Sequence, residues 1–247
     1  MKYSQLATVQ KKQNLAFGKF IKELLFQQPF IEINKNNLLD IGGANGEFAN
    51  LMKNFQFKRI VNIDIDKDMI EQGKKLFPQI EHICEDFFKW QSEETFNFIV
   101  STNVFHHFID WDLAIRKTYN LLTSPGAFFL HQHCKGSFCS LIDLAKDILL
   151  HHFNTVTPYK KSFLTIKEIK EKLEETGFQI VKIKTFIELT GEFSLEESYK
   201  SWLVGAGKDF VLASGNPEKF SEIFMQEALK KELPIESIRI MVACFKK

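Results

Sequence analysis

Residues 38–46, Leu38-Leu39-Asp40-Ile41-Gly42-Gly43-Ala44-Asn45-Gly46, decide the architecture of this chain. A short apolar run, LLDI, passes directly into a glycine-rich turn, and residues 47–54 read as the helix that follows. Working outward, the same rhythm recurs. Residues 60–65 (IVNIDI) read as strand and 67–77 as a helix stopped by Pro78. Residues 80–84 and 96–101 read as two further strands, 112–122 as helix, and 127–131 (AFFLH) as a fifth strand. Strands alternating with helices across short Gly, Pro and Asn breaks imply an α/β fold of parallel strands with right-handed crossovers and helices on both faces. The strands lack a clean apolar–polar alternation, as expected when both faces are covered.

Before this unit, residues 6–26 carry apolar positions at three-to-four spacing, an amphipathic helix or helix pair closed by Pro29. Past residue 133 the rhythm changes. Residues 138–152 read as a largely apolar helix, followed by the Lys-rich loop TVTPYKKS. Thr165 with Glu168 three residues on is a capping box, and Gly177 a helix stop. Residues 178–189 read as strand, 194–231 as helix in two pieces broken around Ser214-Gly215-Asn216-Pro217, and 238–245 as a last strand.

The composition removes several classes. The chain has 247 residues, 45% hydrophobic and 26% charged, which fits one large globular domain rather than a disordered or disulfide-stapled chain. No apolar run approaches the roughly 20 residues that span a membrane, and the N-terminus lacks a signal-type stretch. The net charge is +1, and arginine occurs only at 59, 116 and 239. That scarcity of guanidinium forks argues against a nucleic acid partner. The four cysteines form no CxxC pair, so neither a metal site nor a disulfide frame is expected, and a reducing, cytoplasmic setting is the simplest.

The glycine turn carries the chemistry. In a doubly wound sheet a ligand approaches the strand ends at such a turn, where small residues admit close backbone contact and a helix N-terminus favours a negative group. Asp64 ends the second strand, 18 positions beyond Gly46, within reach of a ribose diol, and Asp86 follows the third strand, where it can accept from an adenine amino group. A dinucleotide fingerprint fits poorly, because Glu47 stands where the third glycine is required, and no P-loop is present.

The run resembles motif I of class I S-adenosylmethionine-dependent methyltransferases, D/E-x-G-x-G-x-G. Asp40, Gly42 and Gly46 match, and Ala44 replaces the middle glycine. VNIDIDKDMIEQGKK, CEDFF, NFIVSTNVFHHFID, LLTSPGAFFLH and FLTIKEIKEKLEETGFQIV resemble the successive segments of that family, so the likeness covers about residues 3–190, with 237–245 completing the sheet. Asn97 departs from an Asp often found before the fourth strand. The resemblance implies a doubly wound, Rossmann-like, seven-stranded, mostly parallel sheet with the last strand antiparallel, in a single domain over 1–247. Residues 1–30 are expected as a helical cover, and 134–164 and 190–233 as helical lid insertions.

By position, the resemblance gives Gly42, Gly43, Ala44 and Gly46 the turn under the methionine part of S-adenosyl-L-methionine. Asp40 positions that turn and reaches toward the cofactor amine. Asp64, with Ile65 beside it, takes the ribose hydroxyls, and Asp86 the adenine N6 beside the Phe87 backbone. Ser101, Thr102 and Asn103 end the fourth strand near the transferable methyl, and Tyr3 and Gln10 resemble the cofactor-covering entry of several small-molecule members. His107 and His133 are the candidate bases, His131 and His133 alternating onto one face. Methyl transfer to a small molecule, a carboxylate or hydroxyl among the options, is the expected function. A macromolecular acceptor (tRNA or a carrier protein) or a non-catalytic cofactor-binding role is the alternative. The segment Ser101-Thr102-Asn103-Val104 lacks the [DN]-P-P-[YFW] pattern of enzymes that methylate adenine or glutamine nitrogen. Apolar lid helices leave monomer and homodimer equally open.

Overall fold

A computed structural model describes residues 4–156, 163–189 and 194–247, with side chains from residue 10 onward. Seven strands form one sheet in the order β3-β2-β1-β4-β5-β7-β6. They are β1 (Asn37–Ile41), β2 (Arg59–Asp64), β3 (Glu81–Cys84), β4 (Phe96–Thr102), β5 (Leu122–His133), β6 (Gln179–Leu189) and β7 (Glu236–Lys246). β7 runs antiparallel to both of its neighbours, β5 and β6, and the other pairings are parallel.

The apolar strands of the sequence are explained by two cores. Leu39, Ile99, Phe128, Leu130 and Val242 pack on one face with Ile115 of α4 (Trp111–Leu121) and Ile169 of α6 (Ile166–Thr176). Leu38, Phe98, Val100, Phe129 and Met241 pack on the other with Phe17 and Ile21 of α1 (Ser4–Leu25) and Phe48 of α2 (Glu47–Met52). Successive residues of each strand therefore enter opposite cores, which leaves no polar alternation to read. Helix ends are set locally. Asp66 caps α3 (Lys67–Leu76), Asp110 caps α4, and Thr165 forms its capping box with Glu168.

Four helices form a third apolar cluster: α5 (Cys139–Phe153), α7 (Leu195–Val204), α8 (Lys208–Ala213) and α9 (Pro217–Lys230). Their junctions lie after β5, after β6 and before β7, beyond the carboxyl ends of β5 and β6.

Three expectations change. The helix read over 47–54 ends at Met52 and tightens into a 3₁₀ turn, Lys53–Phe55. β5 starts at Leu122 rather than 127, because residues 123–126 bulge out of the ladder between the Phe96–Leu122 and Phe98–Ala127 pairs. Residues 194–231 form three helices, not two. The extra break is at Gly205-Ala206-Gly207, where the Trp202 ring lies so close that a Cβ on Gly207 would sit 2.5 Å from it.

Candidate active site

The glycine turn leaves β1 through three left-handed residues, Gly42 (φ 67), Ala44 (φ 49) and Gly46 (φ 81). At Gly42 the close approach is from above, since a Cβ there would lie 2.4 Å from a Val104 methyl. Beneath the turn runs a polar rung across three strands, Asp40, Asn62 and His82, set side by side by the β1–β2 and β2–β3 registers. Asn62 Nδ2 donates to the Ala44 carbonyl at 2.9 Å and lies 3.2 Å from His82 Nδ1. A Cβ on Gly43 would meet Asn62 Oδ1 at 2.3 Å and Asp40 Oδ2 at 2.5 Å. The turn thus rests directly on these two side chains, which is why only glycine fits.

Asp40 is fully buried, and neither carboxylate oxygen has a well-formed hydrogen bond. Burial first, and the Asp64 charge second, push its carboxyl up to about 8, the Ala49 amide offering only a loose opposing contact. Asn62 Oδ1 is likewise buried and unpaired. Unpaired buried acceptors of this kind are costly, and here they lie directly beneath the turn.

A cleft of about 840 Å³ opens over the turn. Gly42, Gly43, Ala44, Asp64 and Ile65 line it, together with Asp86, Phe87, Thr102 and His107. Asp64 Oδ2 accepts from the Ala44 amide at 2.8 Å and Oδ1 from the Asp66 amide at 2.9 Å, so each oxygen keeps a lone pair. Asp86 Oδ1 accepts from the Phe88 amide. Gln10 and Asn14 of α1 reach the same cleft, whereas Tyr3 lies outside the described residues.

Asp40, Gly46, Ser101 and His133 are not in the cleft wall. Asp40 and Gly46 lie behind it, and Ser101 is buried with its hydroxyl donating to the Ile41 carbonyl. His133 sits elsewhere, 2.8 Å from Ser237 Oγ, with its ring centroid 5.7 Å from that of His106. Asn97 pairs with Asn37 at the start of β4, at the far end of the strand from the cleft, so that departure leaves the turn untouched.

A second polar cluster, not expected from the sequence as a unit, lies beside the cleft. Arg239 on β7 is 2% exposed. Its Nε donates to Glu188 Oε2 at 2.7 Å, and Nη1 donates to Asn103 Oδ1 at 2.7 Å. Nη1 also lies 3.2 Å from His131 Nε2. A guanidinium only donates, so His131 Nε2 accepts, and the ring proton, assigned to Nδ1, points at Thr102 Oγ1 3.1 Å away. Burial, then the Arg239 charge, hold His131 well below its ordinary pKa, hence neutral. Gln13 of α1 completes the cluster, donating to Glu188 and accepting from Asn103. His131 and His133 pair in register with Met241 and Arg239 of β7, two apart, and so share the face that the alternation predicts, but their side chains bond to Arg239 and Ser237 respectively and fall in separate clusters. The available signal was a lone arginine inside an apolar strand, IRIMVACF.

Left-handed glycines, the unsatisfied acid beneath them, carboxylates at or just past the ends of β2 and β3, and apolar Phe87 and Phe88 in the same cleft fit an amino-acid-bearing, cationic nucleoside. Fold and cleft together define a class I, Rossmann-like, S-adenosylmethionine-dependent methyltransferase. Residues 10–183 match the family described as "Methyltransferase domain", and the chain belongs to that family. The chain is similar in fold to Haemonchus contortus phosphoethanolamine N-methyltransferase 2 in complex with S-adenosyl-L-methionine. The identity is 18% and the TM-score 0.58, covering 95% of this chain and 52% of that one. It is similar also to the [4+2]-cyclase SpnF, at 13% identity and TM-score 0.60, covering 93% and 81%. At these identities the likeness establishes the fold alone. A 58-residue segment is 38% identical to the polyamine aminopropyltransferase of Hydrogenobaculum sp. (strain Y04AAS1), over 23% of this chain and 21% of that protein. The chain thus matches about a fifth of that relative's length. Among the described residues no helix is long and apolar enough to cross a membrane.

Proposed function

We propose that this methyltransferase acts on a small-molecule acceptor, a carboxylate or hydroxyl compound being the class that fits. The observation that carries this reading is the separate helical cluster of α5 and α7–α9 beyond the carboxyl ends of β5 and β6. Segments 134–164 and 190–233, of which residues 157–162 and 190–193 lie outside the described residues, serve in this reading as lids that enclose the acceptor and exclude water. A near-neutral chain with two exposed or part-exposed arginines, Arg59 and Arg116, and one buried, offers little to a polyanion.

The bound cofactor supplies an already activated methyl on a sulfonium. The protein's share is alignment, a contribution of roughly 7–11 kcal/mol in favourable cases. In this reading Gly42, Gly43, Ala44 and Gly46 seat the methionine end, with Asp40 acting through the turn it supports. Asp64 and Ile65 hold the ribose, and Asp86 and Phe87 the adenine. Ser101 fixes the end of β4, and Thr102 faces the methyl. His107, on the cleft, and His133, oriented by Ser237, are the proposed general bases for an acceptor that must lose a proton.

Methyl-labelled S-adenosylmethionine with a fractionated cell extract tests this. Label in the low-mass pool supports it, and loss as methanol in mild base identifies a carboxyl ester. Label confined to the acid-precipitable pool overturns it in favour of tRNA or a carrier protein. Saturable cofactor binding with no transfer to any fraction favours a non-catalytic cofactor-binding role. Unchanged turnover in His107→Ala and His133→Ala with the identified acceptor would remove the base assignment.

A further inference from the structure

Asn103, at the end of β4, is in the left-handed region (φ 59), its amide donating to the His131 carbonyl at 2.8 Å. That kink turns the chain so that Val104 comes down on Gly42, in the van der Waals contact that forbids a Cβ there. Asn103 and Val104 both line the cofactor cleft. The conformation at Asn103 therefore shapes the methionine end of the cleft, although nothing in β4 itself enforces it.

What enforces it comes from β6, β7 and α1. The Asn103 side chain is held at both ends: Oδ1 accepts from Arg239 Nη1, 136 positions later in the chain, and Nδ2 donates to Gln13 Oε1, 90 positions earlier. Arg239 is itself fixed by Glu188 on β6, whose Oε2 also takes the Gln13 amide at 2.9 Å. Gln13 stands on the same helix as Gln10 and Asn14, which reach the cleft. We propose that Arg239 is a positioning residue: its fork between Glu188 and Asn103 locks the left-handed turn that presses Val104 onto Gly42, and through Gln13 it ties α1 over the same cleft. A fork is required, because a lysine on β7 can neutralise Glu188 but cannot at once serve Asn103 in a fixed plane.

This rests on reading the cleft as the cofactor's seat, and the experiment keeps the two apart. Backbone hydrogen exchange of the full chain without ligand reads the lock directly, and titration calorimetry with S-adenosylhomocysteine reads its consequence. In Arg239→Lys, exchange at residues 103–107 and along α1 quickens and the dissociation constant rises about tenfold, the scale of one lost charge-assisted hydrogen bond. Asn103→Asp and Asn103→Gly supply a second arm, should Arg239→Lys fail to fold. Asp keeps an acceptor for the guanidinium, while Gly keeps only the freedom to be left-handed. The lock requires the Asp variant to bind at least about fivefold tighter than the Gly variant and to exchange more slowly at 104–107. It also requires Arg239→Lys with Asn103→Gly to be no weaker than Arg239→Lys alone, since both break one link. The proposal is overturned if the Gly variant binds as well as the Asp variant, if the two losses multiply, or if Arg239→Lys melts earlier with unchanged exchange at 103–107. Failure of the unsubstituted chain to bind S-adenosylhomocysteine would overturn the cofactor reading instead, and the exchange data would still decide the lock.

Discussion

Two buried polar clusters occupy opposite halves of the one sheet, and they are built on opposite principles. Under the glycine turn, on β1–β3, Asp40 and Asn62 carry three buried oxygens with no well-formed hydrogen bond. On β4–β7 the charges match, Arg239 against Glu188, and Gln13, Asn103, His131 and Thr102 are all bonded into the same network. The first cluster leaves acceptors unsatisfied under the turn that walls the cleft, a cost of the kind that functional sites carry. The second is complete as it stands, which suits a frame. A buried carboxylate left unpaired raises its own pKa, whereas a buried ion pair bonded at every pole stiffens what it touches.

The sharpest way to break the first cluster is steric. Gly43→Val drives a side chain into Asn62 and Asp40, and its backbone is not left-handed, so the loss is one of space alone. S-adenosylhomocysteine affinity should fall about 100-fold by calorimetry, the scale of overpacking a tight site. The second cluster breaks by charge. Glu188→Gln leaves Arg239 buried without its counter-ion. Because the Glu188 side chain is 29% exposed, the cost is put below that of a fully buried pair, at about 2 kcal/mol, or about 4–8 °C in melting temperature.

Asp40→Asn separates the two principles. In the wild-type chain the folded state holds the Asp40 proton up to about 8, against an ordinary 3.8, so this residue's stabilisation is lost as pH rises between those values. His82 and His131, both lowered, act the other way, their stabilisation being lost as pH falls below about 6.5. The Asn variant should melt several degrees higher at pH 8 with no ligand present. It should also bind S-adenosylmethionine and S-adenosylhomocysteine about tenfold more weakly, to a similar extent, because the Asp40 carboxyl is neutral below about 8 and acts through the turn it supports. A thermal-shift series from pH 5 to 8 on both chains reads this, and parallel curves would sink it. The smallest effect is expected at Ala44, a non-glycine residue at φ 49. Ala44→Gly relieves that strain and should raise the melting temperature by about 1–4 °C, net of glycine's greater unfolded-state entropy.

Much of the molecule was legible in order along the chain. The glycine turn, the Asp64 and Asp86 strand ends and the Thr165–Glu168 capping box all depend on residues within a few positions of one another. Ala44 was legible as a departure, yet its left-handed backbone was not. The break at Gly205–Gly207 escaped notice because it depends on where the Trp202 ring lies. Asn62 and His82 fall inside stretches that read simply as strand, and the asparagine in the middle of IVNIDI is the local sign of the rung they form.

The sequence by itself determined the strand–helix alternation, the helix caps, the turn and the family, because hydrophobic period, capping and backbone handedness are local properties. Tertiary structure alone decided that Asp40 lies behind the cleft rather than in it, that His131 and His133 belong to different clusters, and that Arg239 reaches Asn103. Those facts depend on strand order and register. The antiparallel insertion of β7 between β5 and β6 sets side by side residues more than a hundred positions apart, and no local pattern encodes that pairing.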